Sequence, residues 1–331
     1  MSTIPANMRA LQLKQVGQLT EVNLPVPVPG ADEVLIRTTA ATICTSDLHD
    51  IDSNPFGMIL PKVIGHEAAG IIVACGNAVK HLKPGMRVAE HPVIPCKQCE
   101  ECKRGFEHVC TNMGHLGYDR NGTFAEYFVQ RADRVVALPD AVSDVTGSLL
   151  EPVAVCLQAI SRSGNIKGRR VLIVGDGPFG NIIARLAVRA GAAEVIVSGR
   201  EPYRLSMIPG VTIASELPVK SVDVSILAVS SADAVRDCLT ALRPRGRLVI
   251  FSSLIEPVEM DLFRLHLSEL EIVGACNDED KLQESLASLS DASLALHEII
   301  THAVDFADWK NAFELARNGH DKALKVSIRF S

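Results

Sequence analysis

The sequence predicts an α/β chain in two parts: an irregular β-barrel, then a doubly wound parallel sheet with helices on both faces. Three observations predict it. Short β-rich runs split by turns fill about the first 150 residues. From about Pro152, strand-like and helix-like stretches alternate, which is the pattern of a parallel sheet covered on both sides. The chain has 331 residues, 47% hydrophobic and 22% charged, enough for two ordinary domains with a substantial core.

In chain order, "EVLIRTTAATI" (Glu33 to Ile43) and "GIIVACG" (Gly70 to Gly76) are β-rich. "KPGMRVAEHPV" has a Pro-Gly turn feeding a strand, and "GTFAEYFVQ" (Gly122 to Gln130) alternates and is aromatic. "VAVCLQAISRSG" reads as a helix closed by Gly164. "RRVLIVGDGPFGNIIARLAVRAGAAEVIVSG" reads as strand, Gly-rich turn, helix, strand. "VDVSILAV", "GRLVIFS" and "LEIVGAC" are buried-strand candidates, with "SADAVRDCLTALRPRG" helical. After about Asp280 come two amphipathic helices, "KLQESLASL" and "FADWKNAFELARNG", and a last strand, "ALKVSIRF". The expected division is 1–152 with 281–331 as one domain, the tail returning to it, and 153–280 as the other.

Net charge is −6 and no basic tract tracks a phosphate backbone, which argues against a nucleic-acid partner. No apolar stretch reaches the roughly 18 uncharged residues of a membrane span. The opening "MSTIPANMRALQLKQ" lacks a basic region followed by an apolar run, so no secretory signal is expected. In a reducing cytoplasm, the nine cysteines are expected as thiols or metal ligands.

Four of them, Cys96, Cys99, Cys102 and Cys110, follow C-x2-C-x2-C-x7-C. Four thiolates so spaced wrap one ion in a tetrahedron, and Zn2+ accepts that geometry. A closed four-sulfur site has no place for substrate, so its expected role is structural. An iron–sulfur cluster and unligated thiols are the alternatives. A second set is scattered: Cys44, Ser46, Asp47 and His49 in "ICTSDLHD", His66 and Glu67 in "GHEAAG", and Glu151 before Pro152. One sulfur, one imidazole and one or two carboxylates suit an open catalytic zinc.

"CTSDLH", "GHEAAG", the four-cysteine lobe, "KPGMRV" and "GTFAEY" resemble, in order and interval over essentially the whole chain, the zinc-dependent medium-chain alcohol/polyol dehydrogenase family. The resemblance implies a GroES-like β-barrel catalytic domain plus a Rossmann cofactor domain. It places Cys44, His66 and Glu67 where the family holds catalytic zinc, and Asp47 where it orients the ligand histidine. Glu151 matches the "EP" of the sorbitol and glucose dehydrogenase branch, where a carboxylate replaces a third thiolate or histidine-type ligand, directly or through water. Taken alone, Glu151 reads as an acid at a helix N-terminus. The resemblance also implies a proton relay from Ser46 to His49; the plainer readings are a turn hydroxyl and a surface histidine.

"VLIVGDGPFG" places Gly175, Gly177 and Gly180 in G-x-G-x-x-G register between strand and helix, with Pro178 and Phe179 inside the turn. Such a turn cradles a dinucleotide pyrophosphate against the helix start. An NAD site usually carries an acid at the end of the next strand. Here Gly199 stands there, followed by Arg200 and then Arg204, with Ser198 before it. Without the carboxylate, and with guanidinium groups nearby, the expectation is NADP. Glu201 could instead reach the ribose, which leaves NAD open. The chain between Arg204 and "VDVSILAV" is short, so the helix there is expected to make about one turn.

The expected activity is hydride transfer between a secondary alcohol, polyol or sugar and NADP (or NAD), with one catalytic and one structural zinc. A zinc-free quinone or enone reductase and a non-enzymatic redox sensor are the alternatives. The resemblance also implies a homo-oligomer, a dimer or tetramer.

Overall fold

The computed structural model describes residues 4–330. Met1–Thr3, which begin the stretch inspected for a secretory signal, and Ser331 lie outside the described residues. The chain divides into two compact units.

The first unit comprises Met1–Pro152, Leu282–Ala292 and Ile300–Ser331. Its main sheet runs in the order Val135–Ala137, Arg87–Glu90, Ala68–Cys75, Glu33–Thr42, Lys325–Arg329, Ile300–Asp305, and Tyr127–Arg131 also pairs with Glu33–Thr42. Alternation puts Leu11, Leu13, Val34 and Ile36 inward, against Phe124, Phe128 and Ile328. Each such side chain, fully buried, adds about 1.5–3 kcal/mol. The helix Trp309–Asn318 buries Trp309, Ala312 and Phe313, one face at helical spacing, and ends at Gly319 with φ +61°. The C-terminal strand Lys325–Arg329 lies antiparallel to Glu33–Thr42, with Ser327 opposite Thr42. That pairing carries the far end of the chain to the residues just before Cys44.

The second unit comprises Val153–Lys281 and Ser293–Ile299. Its six strands are all parallel, in the order Thr212–Ile213, Glu194–Ser198, Arg170–Val174, Val222–Leu227, Leu242–Ile250, Glu271–Gly274. The order reverses direction between Arg170–Val174 and Val222–Leu227, the switch point at which such sheets bind ligands. Val171, Leu172 and Ile173 are wholly buried, as expected of a strand covered on both faces. The segment Ser293–Ile299 is fastened to this unit by Arg185, whose buried guanidinium donates to the carbonyls of Leu294, Ala295 and Met207 and pairs with Glu298.

Two readings change at their ends. The helix in "SADAVRDCLTALRPRG" stops at Ala241, and Leu242 already begins a strand. Pro244 cannot donate to a helix, which favours that break. The helix expected from Val153 starts earlier, at Leu150, so Glu151 sits in its first turn. The segment after the second cofactor-unit strand is short, with a helix of five residues, Pro202–Ser206, and no helix between Thr212–Ile213 and Val222–Leu227.

Candidate metal centres and dinucleotide turn

Cys44 caps the helix Thr45–Ser53 with extended backbone, φ −86° and ψ 153°. Asp47, one turn on, returns its carboxylate Oδ2 to the Cys44 amide at 2.8 Å. The cysteine is thereby pinned at the start of the helix. His66 and Glu67 follow Gly65, which sits at φ +97°. A Cβ on Gly65 would come within 2.8 Å of the Phe124 ring, so only glycine makes this turn.

These turns bring Cys44, His66 and Glu67 together: one donor atom from each lies within 4.8 Å of the others, and all three residues are buried. His66 presents Nδ1 to Asp47 Oδ1 at 3.3 Å, which leaves Nε2 available as a ligand. Ser46 Oγ stands 3.5 Å from that Nε2. Burial opposes a charged imidazole, but Asp47, with the Cys44 sulfur, holds the His66 pKa well above the ordinary range. A soft sulfur, an imidazole and a carboxylate gathered in one buried cluster fit a divalent zinc.

Glu67 is wholly buried and has a partner that sequence reasoning missed. Lys325 Nζ lies 2.7 Å from Oε1 and 2.7 Å from Oε2, and the Thr42 hydroxyl donates to Oε2. Burial works against the ammonium, but Glu67, then Cys44, raise the Lys325 pKa. Glu151 lies outside the three-residue cluster although it is buried and acts electrostatically on Lys325 and Glu90. Glu90, also missed, is almost wholly buried, and its Oε1 accepts from the Ala68 amide at 3.2 Å. Burial, reinforced by Glu151, keeps its acid well above the usual carboxylate range against the pull of His66. His115 packs on His66 with ring centroids 5.6 Å apart, and burial followed by the His66 charge pushes it down to about 3. His49 is exposed, one turn after Ser46 on the same helix face.

The sulfurs of Cys96, Cys99, Cys102 and Cys110 also gather within 4.8 Å of one another. The amides of Gln98 and Cys99 donate to the Cys96 sulfur, and that of Cys96 to Cys110. The bonds from the Gln98 and Cys99 amides lower the Cys96 pKa, and the Cys102 amide takes Cys99 down to about 6. Burial pushes Cys102 up to about 12 and raises Cys110. Four sulfurs supplied with backbone donors fit a tetrahedral zinc.

In the second unit the helix Pro178–Arg189 begins at the Gly-rich turn, with Gly177 as its cap and Pro178 in its first turn. A Cβ on Gly180 would fall 2.0 Å from the Gly175 carbonyl, whereas nothing lies within 4 Å of one on Gly177. The first contact makes helix and strand pack closely, and the second is an open cradle over the helix start, which fits a pyrophosphate. The Phe179 ring meets Phe251 edge-on, centroids 5.3 Å apart. Ser198 ends the neighbouring strand, its carbonyl accepting from the Gly175 amide. Arg200 is exposed, and Arg204 lies in the five-residue helix. Beside them is a residue the sequence reading passed over as a variable position of the turn: Asp176, whose Oδ2 accepts from the amides of Arg200 and Glu201, each at 2.7 Å.

Residues 30–140 match the family model of the alcohol dehydrogenase GroES-like domain. The chain is 30% identical over 327 residues to sorbitol dehydrogenase of Bombyx mori, covering 92% of this chain and 93% of that one. It superposes on a zinc-binding dehydrogenase of Sinorhizobium meliloti bound to NADP with TM-score 0.91, at 28% identity over 98% of this chain and 100% of that one. For the Escherichia coli alcohol dehydrogenase RspB complexed with NADH the TM-score is 0.92, again at 28% identity over 98% and 100%. Among the described residues no helix is long and apolar enough to cross a membrane. With a GroES-like barrel and a Rossmann sheet in one chain, and relatives alike over nearly its full length, the chain belongs to the zinc-dependent medium-chain alcohol/polyol dehydrogenase family, enzymes that move a hydride between an alcohol and NAD(P).

Proposed function

We propose that Cys44, His66 and Glu67 hold the catalytic zinc of an NAD(P)-dependent dehydrogenase acting on a polyol-type secondary alcohol, with Cys96, Cys99, Cys102 and Cys110 holding a structural zinc. The convergence of the three buried donors carries this reading. A zinc ion there supplies Lewis-acid polarisation of a substrate hydroxyl, and a dinucleotide on the Gly175–Gly180 turn supplies the hydride acceptor.

The chain's own groups do the rest. Asp47 fixes the His66 tautomer so that Nε2 carries the lone pair. Lys325 balances the Glu67 charge, so the pocket tolerates a thiolate and a carboxylate together. Ser46 Oγ, beside His66 Nε2, is placed to take the substrate's proton, and His49, one turn along the same helix, is the outlet towards solvent. Glu151 is the acid from which a polyol's second hydroxyl would gain a hydrogen bond, or which would complete the metal's ligands through water. The silkworm relative is a sorbitol dehydrogenase, which supports the polyol class. The intact donor set argues against a zinc-free reductase. Nine cysteines without a disulfide, four of them gathered in one site, suit a reducing cytoplasm, and assembly as a homo-oligomer follows the resemblance.

The test is a cofactor-reduction screen over polyols, sugars and amino alcohols on zinc-loaded protein. Turnover of a vicinal diol that is lost in Cys44→Ser supports the reading, and full turnover in that variant refutes it.

A further inference from the structure

The chain lacks the acid that usually ends the second strand of a dinucleotide fold, because Gly199 stands at that place. The structure fills the gap from elsewhere. Asp176 rises from the Gly-rich turn and lays its carboxylate over the end of Glu194–Ser198. A Cβ built on Gly199 would lie 2.5 Å from both the Cβ and the Oδ2 of Asp176. No side chain can share the position, so the glycine at 199 and the acid at 176 are two halves of one arrangement. The Oδ2 atom accepts from the Arg200 and Glu201 amides at 2.7 Å each.

We propose that Asp176 serves as the ribose-recognising carboxylate of this enzyme and biases it towards NAD over NADP. This rests on the dinucleotide site of the proposed function. A carboxylate offers about four acceptor positions, and two amides use two of them, which leaves capacity for a ribose 2'-hydroxyl. A 2'-phosphate meets the opposite situation. Successive backbone amides are what an anion seeks at such a bend, and here a fixed negative charge already holds them. The phosphate would have to displace Asp176 or sit against it, like charge to like charge. Arg200 and Arg204 are on hand, but their guanidinium groups must first offset that carboxylate. The strand end alone, with Gly199 and Arg200, predicts NADP; the acid stands in the Gly-rich turn instead. The relatives leave the choice open, one being bound to NADP and one complexed with NADH.

The test is direct binding, without turnover. NAD, NADP and the fragments 5'-AMP and 2',5'-ADP are titrated by calorimetry into the zinc-loaded parent, Asp176→Asn and Asp176→Ala. Asparagine keeps an oxygen for the two amides, so the loop holds while the charge goes; thermal melting checks the fold. The parent is expected to bind NAD at least about tenfold more tightly than NADP, in line with removal of a like-charge contact. Asp176→Asn is expected to narrow that ratio about tenfold by tightening NADP and 2',5'-ADP. Asp176→Ala should also weaken NAD. A parent that prefers NADP, or an Asn variant that moves both dinucleotides by the same factor, overturns the proposal. Binding of neither dinucleotide to folded parent overturns it together with the cofactor site. Selective NAD binding with no turnover of any alcohol upholds it and sinks the dehydrogenase reading alone.

Discussion

Lys325 and Glu67 form a fully buried ion pair, Nζ standing 2.7 Å from each carboxylate oxygen, with side-chain exposures of 2% and 0%. They are 258 residues apart in sequence. The pair ties the C-terminal strand to the ligand cluster, and its removal has a calculable cost. A buried carboxylate left without its cation destabilises a fold by about 3–5 kcal/mol. Lys325→Met is therefore expected to lose about that much in urea unfolding, whereas Lys325→Met with Glu67→Gln should regain most of it. A double variant no more stable than the single one would contradict the pairing.

Arg185 plays a comparable part in the second unit. Its side chain is about 1% exposed, and it holds the carbonyls of Leu294, Ala295 and Met207. Arg185→Ala takes this donor from all three carbonyls, of which Ala295 keeps the Glu298 amide, so a loss on the order of 3 kcal/mol is expected. Proteolysis should then first cut between residues 293 and 299. Cleavage unchanged from the parent would show that the segment is held by other means.

Asp50, on the helix after Cys44, is pushed up to about 6 by burial and then by the Asp47 charge, against the pull of His66. The fold favours its protonated form. Its stabilising contribution is thus full below about pH 4 and lost as pH rises through 6. Asp50→Asn should be more stable than the parent at about pH 8, by on the order of 1 kcal/mol, with the gap closing near pH 4. Denaturation midpoints at both pH values check this; a gap equal at the two would count against it.

The cysteine lobe should be separable from the cofactor turn. Cys102→Ser is expected to lose one equivalent of zinc and to expose the segment around Cys96–Cys110 to protease. Dinucleotide binding, which depends on the other unit, should stay within about twofold of the parent. Zinc analysis alongside NAD titration tests this; unchanged zinc content would mean that the four sulfurs hold no ion.

What the sequence disclosed follows the distance over which each feature is built. The four cysteines were legible because their geometry is local, set by two-residue gaps within one loop. Cys44, His66 and Glu67 are weak singly and became legible only through their resemblance to a known pattern. Lys325 was not legible: a lysine near the end of a strand reads as a surface charge, and only the Ser327–Thr42 register turns it inward. Asp176 was hidden as the variable residue between two glycines, since what gives it meaning is the missing Cβ of Gly199. Glu90 follows two buried strand residues, Val88 and Ala89, and no local signal marks a carboxylate there as buried. Only the start of the strand Leu242–Ile250 reads as helix, because Leu242 continues the apolar spacing of Val235 and Cys238, whereas "GRLVIFS" reads as strand.

The central claim is that Cys44, His66 and Glu67 bind one zinc ion. It is tested most directly by diffraction from zinc-loaded crystals at wavelengths on either side of the zinc absorption edge. The account predicts an anomalous peak at bonding distance, ~2.0–2.3 Å, from the Cys44 sulfur and from His66 Nε2. A second peak should lie among Cys96, Cys99, Cys102 and Cys110. A map with the second peak and no density between Cys44 and His66 would contradict the account.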